Sequence, residues 1–312
     1  MSAIIETENL TKIYHVDGRE IRAVDGLNLT VYEGELFGYL GPNGSGKTTT
    51  ILMLLGLISP TSGGGRVAGF DIIRESKAVR SVTGFIPEKF SFYEDLPAYD
   101  NLAYFAKLNG IVKNEIDDRI KWALNIVELS DWINAPVKTF SRGMRQRLAL
   151  ANILIKKPKI IFLDEPTAGL DPYATANFRS LIKRLNEEFN ITIFLSSHML
   201  HEVRQICNRI GFLNKGRLVA VDTIEGFMEK MGIKIILEAT NLSDKLIKLI
   251  EALDDVNRVF KSNGELIIYA REDVRLDISK IVTSLGEHVL TLKIEPPTLE
   301  EVFFLVYGGE GR

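Results

Sequence analysis

The chain has 312 residues, 46% hydrophobic and 25% charged, a balance that suits one large globular domain or one large plus one small. Its formal net charge of −3 gives no overall basic field, so no nucleic-acid partner is expected. Cys207 is the one cysteine, which excludes an intrachain disulfide and suits a reducing compartment.

The opening residues Met1, Ser2, Ala3, Ile4, Ile5 and Glu6 contain neither a basic n-region nor a long apolar run and do not read as a secretory signal. Residues 4–31 alternate apolar and polar side chains around Gly18 and Gly26 and read as short antiparallel strands. Residues 36–40 form a compact apolar strand, a Gly-rich loop follows, and a helix is predicted from Lys47 to about Leu57. The apolar run at 51–58 is interrupted by Gly56 and is far shorter than the roughly 20 residues a membrane-spanning helix needs. Any membrane role must come through a partner.

Between 97 and 132, Leu102, Phe105, Ala106 and Leu108, then Ile120, Ala123, Leu124 and Val127, recur at helical spacing and mark a mostly helical insertion. A helix is predicted from Ser141 to about Lys156, a buried strand at 160–163, a helix at 174–189 and a buried strand at 191–196. Residues 210–213 and 217–221 flank Asn214, Lys215 and Gly216 as a hairpin. Strands alternating with helices predict a mainly parallel α/β sheet.

After Gly232 the pattern restarts: strand 233–239, helix 243–253, strands 256–261 and 265–270 around Ser262, Asn263 and Gly264, helix 273–285, strand 289–294. Asn-Gly is a hairpin signal, and β-α-β-β-α-β is the order of a small α+β ferredoxin-like domain. The division expected is a first domain at 1–230, with a helical part at about 88–156, and an accessory domain at 231–312.

Gly41, Pro42, Asn43, Gly44, Ser45, Gly46, Lys47 and Thr48 fit G-x-x-x-x-G-K-[ST] between a predicted strand and a predicted helix, the context this phosphate-binding loop requires. Glycines let backbone N–H groups close on phosphate oxygens, and the helix N-terminus adds a positive dipole end. Lys47 is placed for the β- and γ-phosphates, Thr48 for Mg²⁺, and Thr49 continues the same turn. The apolar strand at 160–163 runs into Asp164 and Glu165. Asp164 suits Mg²⁺ through its hydration shell, and Glu165 suits proton acceptance from an attacking water. ATP and Mg²⁺ are the cofactors these residues imply. His198, His201 and Glu202 do not fit a zinc-protease spacing. His201 reads as a helix-surface residue and Cys207 as buried on a helix.

Four further features narrow the class. Phe140, Ser141, Arg142, Gly143, Met144, Arg145, Gln146, Arg147 and Leu148 resemble the signature motif of ABC-transporter ATPases. Ala168, Gly169, Leu170, Asp171 and Pro172 resemble their D-loop. His198 stands where their switch histidine stands, and Tyr14 where an aromatic stacks on adenine. The resemblance spans residues 3 to about 225. It implies a P-loop NTPase fold of the ABC type, with a mainly parallel sheet, an antiparallel β subdomain and a helical subdomain.

The resemblance also implies that two ATP-binding subunits, identical or related, pair head to tail. Each ATP is then held by the P-loop of one and the signature motif of the other. Ser141, Arg142, Gly143 and Met144 would act in trans, with Ser141 and Gly143 facing the γ-phosphate. His198 would contact that phosphate beside Lys47 and Glu165, and Asp171 would link the two sites. A separate transmembrane permease would be the partner, with the chain at the cytoplasmic face of the membrane. The residues agree at one point independently: Ser141 is a good N-cap, and a helix N-terminus is a natural anion site.

Three positions depart from the family pattern. Arg142 replaces a glycine and reads as solvated rather than as a phosphate ligand. Met144 replaces a glutamine. Glu88, following Phe85, Ile86 and Pro87, replaces the Q-loop glutamine; its oxygen can still meet Mg²⁺, but it adds negative charge beside the phosphates. These variants, and the tail from Pro296 to Phe303, are similar to the exporter branch of drug-, antibiotic- and sodium-efflux ATPases. The accessory domain reads as a dimerisation or regulatory module. Phe90, Phe92, Tyr93 and Leu96 are candidates for the permease contact.

Overall fold

The computed structural model describes residues 2–262 and 264–302; Asn263 of the predicted hairpin turn and Phe303 of the tail motif lie outside the described residues. The chain divides into two compact units, Met1–Val221 and Asp222–Arg312.

The first unit begins with β1 (Ala3–Val16), β2 (Arg19–Leu27), β3 (Thr30–Tyr32), β4 (Leu36–Leu40) and α1 (Lys47–Leu54). It continues with β5 (Ser62–Val67), β6 (Phe70–Asp71), α2 (Ser76–Val82) and β7 (Thr83–Ile86). Three helices follow, α3 (Ala98–Leu108), α4 (Lys113–Ile126) and α5 (Arg142–Leu154). Then come β8 (Ile160–Asp164), α6 (Pro172–Phe189), β9 (Thr192–Ser197), α7 (Leu200–Ile206), β10 (Arg209–Asn214) and β11 (Arg217–Thr223).

β1, β2, β3, β5 and β6 form an antiparallel sheet with β1 at its centre, paired to β2, β3 and β5. The second sheet runs β11-β10-β4-β9-β8-β7, and its pairs from β10 to β7 are parallel. β11 turns back on β10 through Lys215 and Gly216, at φ 44° and 81°, the pair of left-handed residues a tight I′ hairpin demands.

Parallel strands buried on both faces read as unbroken apolar runs, and Leu36–Leu40 and Ile160–Asp164 are buried at every position. Phe194 stands at the centre of this core, its ring 5.4, 5.2 and 5.3 Å from those of Phe37, Tyr39 and Phe162. The Tyr39 hydroxyl lies 3.3 Å from that of Thr50 and ties α1 to the strand that precedes it.

α3, α4 and α5 pack on one another. Fully buried Asn101 organises the loop before α3. Its Oδ1 accepts from Tyr93 N–H at 2.8 Å, and its Nδ2 donates to the Tyr93 and Pro97 carbonyls at 3.0 and 3.1 Å.

The second unit contains α8 (Ile224–Met231), β12 (Ile233–Ala239), α9 (Asp244–Glu251), β13 (Val256–Ser262), β14 (Glu265–Ala270), α10 (Arg275–Ser284) and β15 (Val289–Glu295). Its antiparallel sheet runs β13-β14-β12-β15, the order of a ferredoxin-like unit. One face buries Ile235, Leu237, Leu266 and Ile268 with Leu246, Ile250, Ile278 and Val282. On the other, Lys234 Nζ meets Glu301 at 2.7 Å. Glu301 also accepts the Thr298 N–H at 2.8 Å while Thr298 Oγ1 accepts the Glu301 N–H at 3.3 Å, a reciprocal capping box.

One placement is corrected. Cys207 is buried, but it follows α7 in extended conformation rather than lying on a helix. Burial raises its thiol above the usual range, so it is a packed small side chain.

Candidate nucleotide-binding and catalytic site

The parallel register brings the chemistry together. Leu40 pairs with Ser197, and Asp164 with Ser196, so three neighbouring strands end side by side. The turn after β4 leads into α1, and Gly41 N–H donates to the Ser197 carbonyl at 3.2 Å. Gly46 caps α1 with φ 106°. A Cβ there would stand 2.1 Å from the Ala23 carbonyl oxygen, so only glycine fits. Thr50 N–H bonds back to Gly46 at 2.9 Å. The N–H groups of Lys47, Thr48 and Thr49 therefore lie in the first turn, where no intrahelical acceptor exists. Pro42, Asn43, Gly44 and Ser45 complete the loop: Ser45 N–H meets the Pro42 carbonyl at 3.2 Å, and the buried Ser45 Oγ has no hydrogen-bond partner.

Lys47 is 6% exposed. Its ammonium donates to the Gly41 and Pro42 carbonyls at 2.7 and 3.2 Å and stands 3.4 Å from Glu165 Oε1. Thr48 Oγ1 donates to Asp164 Oδ2 at 2.7 Å, while Ser196 donates to Asp164 Oδ1. Glu165 leaves the strand at φ 48°, a left-handed conformation that costs a non-glycine residue about 1–2 kcal/mol. Its Oε2 meets His198 Nδ1 at 2.9 Å and the Ser197 hydroxyl at 3.4 Å. Oε1 is buried with no hydrogen bond, held only by the Lys47 charge.

A hydroxyl and a carboxylate in contact make a hard oxygen pair of the kind Mg²⁺ takes together with waters and phosphate oxygens. Among the described residues no group of three or more His, Cys, Asp or Glu converges.

The other predicted residues are distributed around this centre. Tyr14 is 37% exposed, with Lys12 Nζ 5.2 Å from its ring centroid. Ser141 caps α5, its Oγ accepting from Met144 N–H at 3.2 Å. Gly143 packs close to α6, where an added Cβ would stand 2.9 Å from Ala174 Cβ. Asp171 caps α6, accepting from Ala174 N–H at 2.8 Å. Glu88 is exposed and shares a cleft of about 520 Å³ with Phe140, Arg142, Arg145, Gln146 and Glu165.

Comparison with known proteins agrees with this architecture. The ABC transporter family profile matches residues 24–168. The bacitracin transport ATP-binding protein BcrA of Bacillus licheniformis is 37% identical over 310 residues, covering 99% of this chain and 99% of that protein. The chain belongs to the ABC transporter family, as one of its ATP-binding subunits. The linearmycin resistance ATP-binding protein LnrL of Bacillus subtilis is 32% identical, covering 98% of each chain. Among solved structures, a dimeric ATP-binding cassette in a post-hydrolysis state with ADP and Pi aligns with TM-score 0.63 at 28% identity, over 70% of this chain and 98% of that one.

The protein binds ATP and hydrolyses it. ATP-binding cassettes of this family work as dimers with a transmembrane component. No described helix of this chain is long and apolar enough to cross a membrane. Ser196 and Ser197, which hold the two acidic side chains, were not among the predicted site residues. The signal lay in sequence: both immediately precede His198 at the end of a buried strand.

Proposed function

We propose that this subunit powers an exporter, and that residues 1–230 are its ATP-binding domain, 88–156 the helical subdomain, and 231–312 the accessory domain. One observation carries the export reading. Relatives named for bacitracin transport and linearmycin resistance match along the whole chain, the C-terminal unit included. The chain sits at the cytoplasmic face of the membrane, bound to a separate permease. The exposed Tyr93, Leu96 and Tyr104 present a contact surface. Phe90 and Phe92, the other two candidates, form a row with Phe105, their ring centroids 5.9 and 6.3 Å apart along it.

Two ATP-binding subunits close head to tail on ATP. The P-loop, from Gly41 to Thr48, and Thr49 wrap the phosphates, and Tyr14 stacks on the adenine. Ser141 and Gly143 of one subunit close over the γ-phosphate held by the other. As ATP enters, the Lys47 ammonium exchanges the Gly41 and Pro42 carbonyls for phosphate oxygens. That exchange frees Glu165 Oε1 to accept a proton from the attacking water. His198 holds the opposite oxygen and keeps the carboxylate aimed. Thr48 and Asp164 would hold Mg²⁺, with Glu88 a further candidate ligand, and the ion would supply charge neutralisation on the phosphates.

The test is efflux from cells that express the chain with its membrane partner. Cells loaded with a peptide antibiotic should clear it, and Glu165→Gln should abolish clearance. Accumulation from outside instead of clearance would assign the subunit to import.

A further inference from the structure

Arg142 occupies a position where the family pattern carries glycine, and the structure shows where its side chain goes. A Cβ built on Gly169 would stand 2.2 Å from Arg142 Nη1, 2.6 Å from Cζ and 2.8 Å from Nη2. The guanidinium therefore fills the space a side chain at 169 would take, within the same subunit.

Gly169 lies at φ 72° in the loop that leaves Glu165. Ala168 N–H bonds to the Glu165 carbonyl at 3.2 Å, and Leu170 N–H to that of Thr167 at 3.1 Å. Two successive turns thus join Glu165 to the α6 cap Asp171, and Arg142 rests on the second. One residue on, Gly143 packs against Ala174 in the first turn of α6. The N-terminal turn of α5 thus meets α6 through Gly143 and the loop before α6 through Arg142. A planar guanidinium, more weakly hydrated than an ammonium, suits close packing against the bare Gly169 better than a lysine does.

We propose that Arg142 is a positioning residue that clamps the D-loop turn to the signature helix within one subunit, so that Ser141 and the loop bearing Glu165 move as one piece. A glycine at 142 cannot make this contact, and a side chain at 169 would evict it. Arg142 is exposed and lines the cleft that holds Glu88 and Glu165; the role differs from that of a phosphate ligand because its guanidinium lies against Gly169 of its own chain.

The experiment is a double-mutant cycle on the full chain: Arg142→Ala, Gly169→Ala, the pair together, and Arg142→Lys, each assayed for ATP turnover. Gly169→Ala carries a backbone penalty in both backgrounds, which cancels in the cycle. The expected result is a kcat lowered on the order of tenfold in each single variant. KM for ATP should stay within about twofold, because the P-loop is untouched. The pair should be no worse than the more severe single, and Arg142→Lys should resemble Arg142→Ala. Additive losses in the pair, or wild-type kcat in Arg142→Lys, would overturn the clamp. The proposal rests on reading 140–148 as the signature segment. Failure of that reading would show separately, as a Glu165→Gln protein that does not associate when ATP is added.

Discussion

Gly46→Ala isolates the geometry on which the phosphate loop depends. The substitution places a methyl 2.1 Å from the Ala23 carbonyl oxygen, 3.2 Å from the Ala23 carbonyl carbon and 3.4 Å from Val24 Cγ2, at φ 106°. The left-handed conformation costs about 1–2 kcal/mol, and overpacking against fixed backbone costs about 1–3 kcal/mol more. A sum near 3 kcal/mol lowers Tm by roughly 6–12 °C for a unit of this size.

Gly44→Ala is the control. Its φ is 77°, but nothing lies within 4 Å of the added Cβ, so only the conformational part, about 1–2 kcal/mol, applies. ATP affinity separates the two further. If the shifted turn breaks two charge-assisted N–H bonds to phosphate, the loss is about 3 kcal/mol, or roughly a hundredfold in Kd. Thermal melting and ATP titration of both variants are the assays. A Gly46→Ala protein no worse than Gly44→Ala in both would refute the close-approach argument.

Lys47→Ala removes the ammonium that links Gly41, Pro42 and Glu165; ATP affinity should fall roughly tenfold to a hundredfold, and undiminished affinity would contradict the P-loop assignment. Phe92→Ala combined with Tyr93→Ala should uncouple transport while ATP hydrolysis persists, and unchanged transport would remove these residues from the permease contact. Glu301→Gln tests the second unit by pH. Burial alone would raise the Glu301 carboxyl, but the hydrogen bonds and charge of Lys234 and the Thr298 N–H outweigh it and hold it below the ordinary value of 4.5. A depressed carboxyl stabilises the fold above its unfolded value and loses that stabilisation as pH falls through the folded one. The variant should therefore lose about 1 kcal/mol at pH 7, and the gap in Tm should close as pH drops below about 4. A gap that widens on acidification would contradict the assignment.

The sequence made the centre of the site legible because its parts are contiguous. Gly41 to Thr48 is one continuous segment that runs from loop into helix, and Asp164 and Glu165 are adjacent where one strand ends. The buried strands Leu36–Leu40, Ile233–Ala239 and Glu265–Ala270 were marked by unbroken or alternating apolar residues and end where expected. The strand Ser62–Val67 was not legible: it carries three glycines and one apolar residue, and its pairing with β1, Ile5 opposite Val67, defines it. Thr83–Ile86 is only four residues long, too short for a period. The contacts of Ser196 with Asp164 and of Arg142 with Gly169 join residues far apart in the chain. They follow from strand register and from the meeting of two helix ends, which local pattern does not carry. Glu165's left-handed backbone was equally hidden, because nothing in a Glu-Pro step announces it.

The central claim is that Glu165, held between Lys47 and His198, accepts the proton of the attacking water. The most direct measurement is Pi release and ATP binding by Glu165→Gln. Gln keeps the shape and can still accept from His198, so the fold and ATP affinity should stand. Removing a general base lowers turnover by about 10²–10⁴-fold, roughly 3–5 kcal/mol on the barrier, and should leave an ATP-bound dimer that persists. Turnover within tenfold of wild type would contradict the account and send the search for the base elsewhere.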